Sequence, residues 1–207
     1  MQPKILSKRI LLITIIGFTF FSVFLFYFIQ KSKVSNVLAL SIPSTNTISQ
    51  QGQLNSGLPL RLKIPKINVD SVIEYVGLTT TGAMDTPKNQ ENVAWFQSGA
   101  RPGEIGSAVI AGHYGWKNQK SSAFDNLHML QIGDKIYTED EKGITISFVV
   151  KEIKKYNPEA DTKDVFSSND GKSHLNLITC EGIWDKVKED YPSRLIIFTD
   201  REYPYND

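Results

Sequence analysis

Residues 175–180 read Leu-Asn-Leu-Ile-Thr-Cys, an apolar run that ends in the only cysteine of the chain, Cys180. Two similar runs also carry a reactive residue at one end: Ser-Ala-Val-Ile-Ala-Gly-His ends at His113, and Arg-Leu-Ile-Ile-Phe begins at Arg194. Short apolar runs of this kind are typical of buried strands. A thiol, an imidazole and a guanidinium at strand ends are groups that cysteine acyl-transfer enzymes use. A free cysteine can also be a small buried apolar residue, and this alternative stays open here.

The composition excludes several classes of protein. The chain has 207 residues, a net charge of +1 and one cysteine. The length suits one domain plus an additional segment. The balanced charge gives no electrostatic argument for nucleic acid binding, and a single cysteine excludes an intramolecular disulfide and a Cys-rich zinc site. No phosphate-binding or dinucleotide-binding glycine motif is present. We therefore expect no cofactor, no metal centre and no nucleic acid partner.

An uncharged apolar stretch near the N-terminus predicts a membrane anchor. Residues 10–29 read ILLITIIGFTFFSVFLFYFI, and a helix of that length spans roughly 30 Å, the thickness of the hydrocarbon core of a bilayer. A cleaved signal peptide has a shorter apolar core of about 7–15 residues and a small-residue cleavage site. Residues 37–39 match such a site poorly. We therefore predict an uncleaved, single-pass anchor in the cell membrane.

The segments on either side of the anchor are predicted to lie on opposite sides of the membrane. Residues 1–9 carry slightly more positive charge than the residues that follow the anchor, which favours a cytoplasmic N-terminus. Residues 30–57 are rich in Ser, Asn, Gln and Thr and contain no acidic residue. This composition is typical of a flexible tether. The predicted folded domain covers residues 58–207 and is extracellular.

From residue 58 onward the pattern indicates short strands and turns. Apolar and polar residues alternate over 60–64, and two runs around Gly143 form a hairpin pattern. The spacing of Phe124, Leu127 and Leu130 predicts a short helix. The strands are predicted over residues 60–64, 69–76, 107–112, 135–138, 144–153, 175–179 and 195–199. Seven or eight strands with one or two helical turns predict a mainly β fold that forms a closed or nearly closed barrel.

Among the histidines, His113 is the preferred partner of the cysteine. His174 lies on the same predicted strand as Cys180 and roughly 20 Å from it, at about 3.3 Å per residue. We expect it to be a solvated residue at the strand start. His128 lies on the predicted helix, where a surface or half-buried position is expected. His113 can lie beside Cys180 only if their strands are neighbours or face one another in the barrel, and spacing alone does not show this.

Arg194 is the preferred cation because it directly precedes an apolar strand that can pair beside the strand of Cys180. Arg101 and Arg201 are the alternatives. The five N–H donors of arginine suit an oxyanion or a substrate carbonyl. The backbone N–H of Glu181 is a second possible oxyanion donor, because it directly follows the cysteine. Four scattered aspartates are predicted to lie on solvated faces: Asp125, Asp134, Asp185 and Asp190.

In these residues the chain resembles the sortases, which are membrane-anchored cysteine transpeptidases of bacterial cell surfaces. The order His, Cys, Arg is the order of that family, and the resemblance covers about residues 58–202. The matching segments are Ala111-Gly112-His113, residues 123–134, Leu177-Ile178-Thr179-Cys180 and Arg194-Leu195-Ile196-Ile197.

Residues 179–185, Thr-Cys-Glu-Gly-Ile-Trp-Asp, are most similar to the Thr-Cys-Gly-Gly-x-Phe-Asp motif of class F sortases. Glu181 and Trp184 depart from that motif, so classes D and E stay open. The departure affects the predicted substrate preference and leaves the predicted chemistry unchanged.

The resemblance implies an eight-stranded sortase β-barrel and a two-step acyl transfer. Cys180 would attack a C-terminal sorting signal of a surface protein, commonly of the Leu-Pro-x-Thr-Gly type, and His113 would protonate the departing amine. Arg194 and the N–H of Glu181 would hold the developing negative charge. An amine of a cell-wall precursor would resolve the thioester. Thr179 is expected to place the substrate or Arg194.

Two other functions remain possible from the sequence: a surface cysteine protease that hydrolyses its acyl-enzyme, and a non-catalytic tethered barrel that binds a surface partner. Within the sortases, the pilus-building enzymes carry an upstream lid with an Asp-Pro-aromatic motif. Residues 30–57 contain no acidic residue and a single proline, Pro43. We therefore predict an open site and the attachment of single proteins to the wall.

Overall fold

The strands of the computed structural model close into a single barrel, which lies within the residues that the structure describes, 56–116 and 120–203. In chain order the eight strands of these ranges are β1 Pro59–Ile64, β2 Val69–Val76, β3 Val93–Phe96, β4 Gly106–Gly112, β5 Lys135–Asp140, β6 Thr145–Tyr156, β7 Ser173–Glu181 and β8 Ser193–Arg201. Around the barrel they follow the order β1-β2-β3-β4-β7-β8-β6-β5. The prediction of a mainly β, eight-stranded barrel is confirmed.

Three predicted segments lie outside the described residues, namely the cytoplasmic N-terminus 1–9, the membrane anchor 10–29 and most of the tether 30–57. Across the described ranges, no helix has the length and apolar character that a membrane span requires. The last two residues of the predicted tether, Ser56 and Gly57, are described and are buried against the barrel. The Gly57 N–H donates to Asp140 Oδ2 over 2.6 Å, and Arg101 Nη1 donates to the Ser56 carbonyl over 3.1 Å.

The predicted helix over Phe124, Leu127 and Leu130 is a 3₁₀ turn, with 3₁₀ geometry over Leu127–Met129. The N–H of Leu127 donates to the Phe124 carbonyl, and the N–H of Leu130 donates to the Leu127 carbonyl. These i to i+3 bonds place every third residue on one face. The three apolar side chains are therefore buried in the core, whereas Met129 is 54% exposed.

Two elements carry no clear sequence signal. Strand β3 has three consecutive buried residues, Val93, Ala94 and Trp95. Both of its faces are covered, so the alternation that reveals a half-exposed strand is absent. The helix α1, Lys163–Phe166, is a single turn. It buries Val165 against the outside of the barrel, next to Val109 and Ile196.

The strand directions bring three chain positions to one end of the barrel. Strands β4 and β7 are parallel neighbours, with Ala111 opposite Ile178, so both strands end on the same side. Strand β8 runs antiparallel to β7 and begins on that side, with Arg194 opposite Cys180. Parallel pairing of β4 with β7 is possible because the β5–β6 hairpin and α1 lie between them in sequence.

Candidate active site

Four of the five predicted site residues line one cleft at this end of the barrel, which has a volume of about 130 Å³: His113, Thr179, Cys180 and Arg194. Its base is formed by the ends of β4, β7 and β8, and one wall comes from the loop between β2 and β3. The lining residues are Met84, Asp85, Thr86, Ala111, Gly112, His113, Ile178, Thr179, Cys180 and Arg194.

Cys180 is half-buried at the end of β7, and its sulfur is a free thiol. Burial raises the pKa of the Cys180 thiol above its ordinary value. The positive charge of Arg194 lowers this pKa, and the carboxylate of Asp190 raises it. A buried thiol needs such a cation, because only the thiolate is a strong nucleophile. The position of Arg194 opposite Cys180 therefore matters for the reactivity of the cysteine.

His113 directly follows β4 and lies beside Cys180, because Ala111 pairs with Ile178 two residues earlier on both strands. Its Nε2 lies 2.7 Å from the carbonyl oxygen of Pro87, which belongs to the β2–β3 loop. The imidazole is thus held by a backbone group from another part of the chain. Positioning of this kind is what a proton-transferring histidine requires.

Arg194 is held by its own loop. Its Nη2 lies 2.9 and 3.0 Å from the two carboxylate oxygens of Asp190, and its Nη1 donates to the carbonyls of Tyr191 and Ser193. Asp190 was predicted to lie on a solvated face, and its side chain is 43% exposed, but its carboxylate also forms an ion pair with the guanidinium that the sequence did not show. The pairing fixes the orientation of Arg194 next to the thiol.

Comparison with known proteins agrees with this geometry. A family model described as the sortase domain matches residues 62–202. The chain belongs to the sortase family. Sortases are cysteine transpeptidases, and the cleft contains the cysteine, histidine and arginine that this chemistry uses. No curated protein matches the chain at a significant level.

Solved sortase structures share this fold. Sortase A from Corynebacterium diphtheriae is 27% identical over 73% of this chain and 64% of its own, with a TM-score of 0.56. Sortase C1 from Streptococcus agalactiae is 25% identical over 72% and 69%, with a TM-score of 0.54. The sortase D5 transpeptidase from Clostridium perfringens is 26% identical over 71% and 79%, with a TM-score of 0.52. These relatives belong to classes A, C and D, so the similarity to class F is not confirmed.

In this sortase, Thr179 stabilises the end of β4, the strand that directly precedes His113. Its side chain is buried, and its hydroxyl donates to the carbonyl of Gly112 over 2.7 Å. It makes no hydrogen bond to Arg194 within the described residues, so the predicted role in placing Arg194 is not supported. Gly112 is required here because a Cβ at this position would lie 2.5 Å from the ring of Phe124.

Glu181 contributes no side chain to the cleft. Its Oε2 lies 3.0 Å from Lys155 Nζ on β6, and its carbonyl accepts a hydrogen bond from Ser193 Oγ over 3.0 Å. The acidic side chain that departs from the class F motif is therefore turned towards β6. The role of its backbone N–H as an oxyanion donor stays a prediction.

Asp125 also has a partner that the sequence did not show. Its carboxylate accepts hydrogen bonds from the N–H groups of Gly115 and Ser122, over 2.7 and 3.0 Å. The prediction of a solvated face is wrong for this residue, because the carboxylate closes the loop that follows His113. Asp134 and Asp185 are partly exposed and bond to N–H groups of their own turns.

The other two histidines of this sortase lie away from the cleft. His128 is exposed, which is one of the two positions predicted for it. His174 lies at the opposite end of β7 from Cys180, but it is not solvated: its Nδ1 is 3.0 Å from Asp200 and its Nε2 is 3.0 Å from Asp170. The expected surface position is wrong, because strand β8 places Asp200 directly opposite His174.

The contribution of the β2–β3 loop to the cleft was not predicted from the sequence. This loop supplies Met84, Asp85 and Thr86 to the cleft wall and the Pro87 carbonyl to His113. No sequence signal identifies such a carbonyl, because every residue has one.

Proposed function

We propose that this sortase is a membrane-anchored transpeptidase that cleaves a C-terminal sorting signal of surface proteins and transfers the acyl group to a cell-wall amine. The observation that supports this proposal is the convergence of Cys180, His113 and Arg194 on one cleft from three strand ends. The anchor at residues 10–29 and a sorting signal of the Leu-Pro-x-Thr-Gly type are parts of the proposal.

In the first step the thiolate of Cys180 attacks the carbonyl carbon of the scissile peptide bond. A thioester bond forms, the C–N bond breaks, and the departing amine takes a proton from the His113 imidazolium. The guanidinium of Arg194 lies on the neighbouring strand and holds the negative charge that develops on the carbonyl oxygen. The N–H of Glu181 is the second donor in this proposal.

In the second step an amine from a cell-wall precursor attacks the thioester carbon. Neutral His113 takes a proton from this amine, the new C–N bond forms, and the thiolate of Cys180 leaves. The imidazolium and thiolate are thereby restored for the next cycle. His113 therefore acts as the acid in the first step and as the base in the second, and the cycle needs no further base.

The proposed location follows from the sequence. Residues 1–9 are cytoplasmic in this proposal, residues 10–29 cross the membrane, and the barrel is outside, where the surface proteins and the wall precursor are found. Protease added to intact protoplasts should then degrade the barrel. Protection of the barrel would reverse the orientation and would contradict a role in wall chemistry.

The function is tested with the full chain in detergent and a library of C-terminal sorting peptides, with and without added amines. Mass spectrometry should show cleaved peptide joined to the amine, and Cys180→Ala should abolish both the acyl-enzyme and the product. Hydrolysis that no amine diverts would identify a protease. Absence of cleavage and of thiol-reagent labelling at Cys180 would instead indicate a binding module.

A further inference from the structure

We propose that Glu74 is a positioning residue for His113, and that it acts through the single peptide group between Pro87 and Lys88. In this arrangement the imidazole exchanges its catalytic proton at Nδ1. The inference extends the proposed function, since it assumes that His113 is the acid–base group.

The first observation is that one peptide group contacts both side chains. The Pro87 carbonyl oxygen lies 2.7 Å from His113 Nε2, and the Lys88 N–H donates to Glu74 Oε2 over 2.8 Å. The carbonyl and the N–H belong to the same trans peptide plane, so they point in opposite directions. A carboxylate, a peptide group and an imidazole therefore form one continuous chain of hydrogen bonds.

The second observation is that Glu74 belongs to a barrel strand and accepts several hydrogen bonds from the β2–β3 loop. It lies on β2 and accepts two further hydrogen bonds, from the Asn89 N–H over 3.1 Å and from Asn92 Nδ2 over 2.8 Å. Burial alone raises the pKa of Glu74, but these donors and the Lys88 N–H lower it further than burial raises it. The carboxylate is therefore ionised in the folded protein.

The direction of these bonds fixes the hydrogen on the imidazole. A carbonyl oxygen only accepts hydrogen bonds, so Nε2 of His113 must carry a hydrogen in both the neutral and the cationic ring. The nitrogen that gains and loses a proton is then Nδ1. Hydrogen bonds in a chain polarise one another, so the negative charge of Glu74 makes the Pro87 carbonyl a stronger acceptor. This arrangement stabilises the imidazolium that protonates the departing amine.

Other charged groups near the two ends of this chain act in different ways. Cys180, Arg194 and Asp85 line the same cleft as His113, and Asp125 holds the loop behind it through the Gly115 N–H. These groups surround the ring, but among the described residues the peptide group after Pro87 is the partner that bonds to Nε2.

The test uses the full chain in detergent, labelled with ¹⁵N in its three histidines, with His113→Gln to assign the signals. The wild type at alkaline pH should show the Nε2–H tautomer of His113. Glu74→Gln keeps the size of the side chain and removes its charge, which weakens its hydrogen bonds to the Lys88 and Asn89 N–H groups and so loosens the Pro87 carbonyl from Nε2. It should therefore give a mixture of tautomers. It should lower kcat roughly 10-fold, a part of the 10²–10⁴-fold that general acid–base catalysis contributes, and leave KM unchanged.

Glu91→Gln is the matched control. Glu91 lies on the same loop, but its carboxylate is exposed and pairs with Lys120 at 3.5 Å, so both the spectrum and kcat should stay at wild-type values. If Glu74→Gln does not fold, Asn92→Ala removes one of the three donors to Glu74 and should shift the same His113 signals to a smaller extent.

Two results would overturn the proposal: a wild-type His113 in the Nδ1–H tautomer, or unchanged His113 signals in Glu74→Gln, whatever its kcat. The spectrum does not depend on turnover. A chain that shows the expected tautomer shift but joins no peptide to an amine would therefore contradict the proposed function and support the positioning by Glu74.

Discussion

Cys180 and Arg194 are direct register partners in the antiparallel pairing of β7 with β8. Directly opposite residues have Cβ atoms about 4.5–5.5 Å apart, and both side chains line the same cleft. The charge of Arg194 lowers the pKa of Cys180, against the larger effect of burial, which raises it. The pairing of β7 with β8 therefore also places the positive charge of Arg194 where it lowers the pKa of Cys180.

Replacing Arg194 should make the thiol harder to ionise. In Arg194→Gln the pKa of Cys180 loses the effect that lowers it, so the curve of alkylation rate against pH should move to higher pH. Transpeptidation should fall by about 10²–10³-fold, the usual effect of removing an oxyanion donor. Arg194→Lys should restore much of the alkylation curve but little of the turnover, because an ammonium lacks the planar fork. An alkylation curve that does not move in Arg194→Gln would contradict this electrostatic role.

Replacing Asp190 should have the opposite effect and make the thiol of Cys180 easier to ionise. Its carboxylate raises the pKa of Cys180, and its ion pair with Arg194 offsets part of the positive charge next to the thiol. In Asp190→Asn the alkylation curve should therefore move to lower pH. Asp185→Asn is the control, because Asp185 lies on the same loop but its carboxylate accepts hydrogen bonds from the N–H groups of Val187 and Lys188, and its backbone bond to the Asp190 carbonyl is kept in the variant. Equal shifts in both variants would mean that the effect is not specific to Asp190.

Alanine substitutions of the three histidines should have different effects on activity and stability. His113→Ala should lower the rate at least about 10²-fold, the usual scale for a general acid or base. His128→Ala should be close to neutral in both activity and stability. His174→Ala should keep its activity but lose roughly 1 kcal/mol of stability or less, because its carboxylate partners are partly exposed. Loss of turnover in His174→Ala would show that the wrong histidine has been assigned.

The sequence predicted the barrel and placed Cys180, His113 and Arg194 in one candidate site, because each of the three stands at the end of an apolar run. It did not predict their proximity, which depends on the parallel pairing of β4 with β7. Register between distant strands is set by packing in the finished barrel, so a strand pattern alone cannot give it.

The sequence also did not reveal the partners of Arg194 and His113, because these partners lie on loops. Asp190 reaches Arg194 from the β7–β8 loop, and Pro87 reaches His113 from the β2–β3 loop, which forms one wall of the cleft. Loop paths of this kind leave no periodic pattern in a sequence. An isolated aspartate therefore looks solvated, and a backbone carbonyl is not visible at all.

Gly112 should not tolerate a side chain. In Gly112→Ala the new Cβ would lie 2.5 Å from Phe124 Cδ2, so the end of β4 must shift, at a cost of about 1–3 kcal/mol in the free energy of unfolding. Because His113 is the next residue, transpeptidation should also fall. Gly77→Ala is the control, since its Cβ would meet only Gln97 Nε2 at 3.8 Å. Equal stability of the two variants, measured by urea unfolding, would contradict the close contact at Gly112.

The tether should be dispensable up to the point where the barrel begins. A variant that begins at Gly52 should match the kinetics of one that begins at Lys31, because residues 30–57 contain no acidic residue from which an Asp-Pro-aromatic lid could be built. A large rise in activity on truncation to Gly52 would reveal an inhibitory segment and contradict the open site.

Removal of Ser56 and Gly57 should be costly, because the Gly57 N–H donates to the buried carboxylate of Asp140. Burial raises the pKa of Asp140, but the N–H groups of Ile144, Gly57 and Lys142 lower it below its ordinary value. Asp140 therefore stabilises the fold above its unfolded pKa, and this stability is lost as the pH falls through the folded pKa. A variant that begins at Leu58 should lose about 1–3 kcal/mol at neutral pH. It should also unfold at a higher pH on acidification than the variant that begins at Gly52, because one donor that lowers the pKa of Asp140 is gone. Circular dichroism during acid titration measures this order, and coincident curves for the two variants would show that the Gly57–Asp140 hydrogen bond contributes nothing.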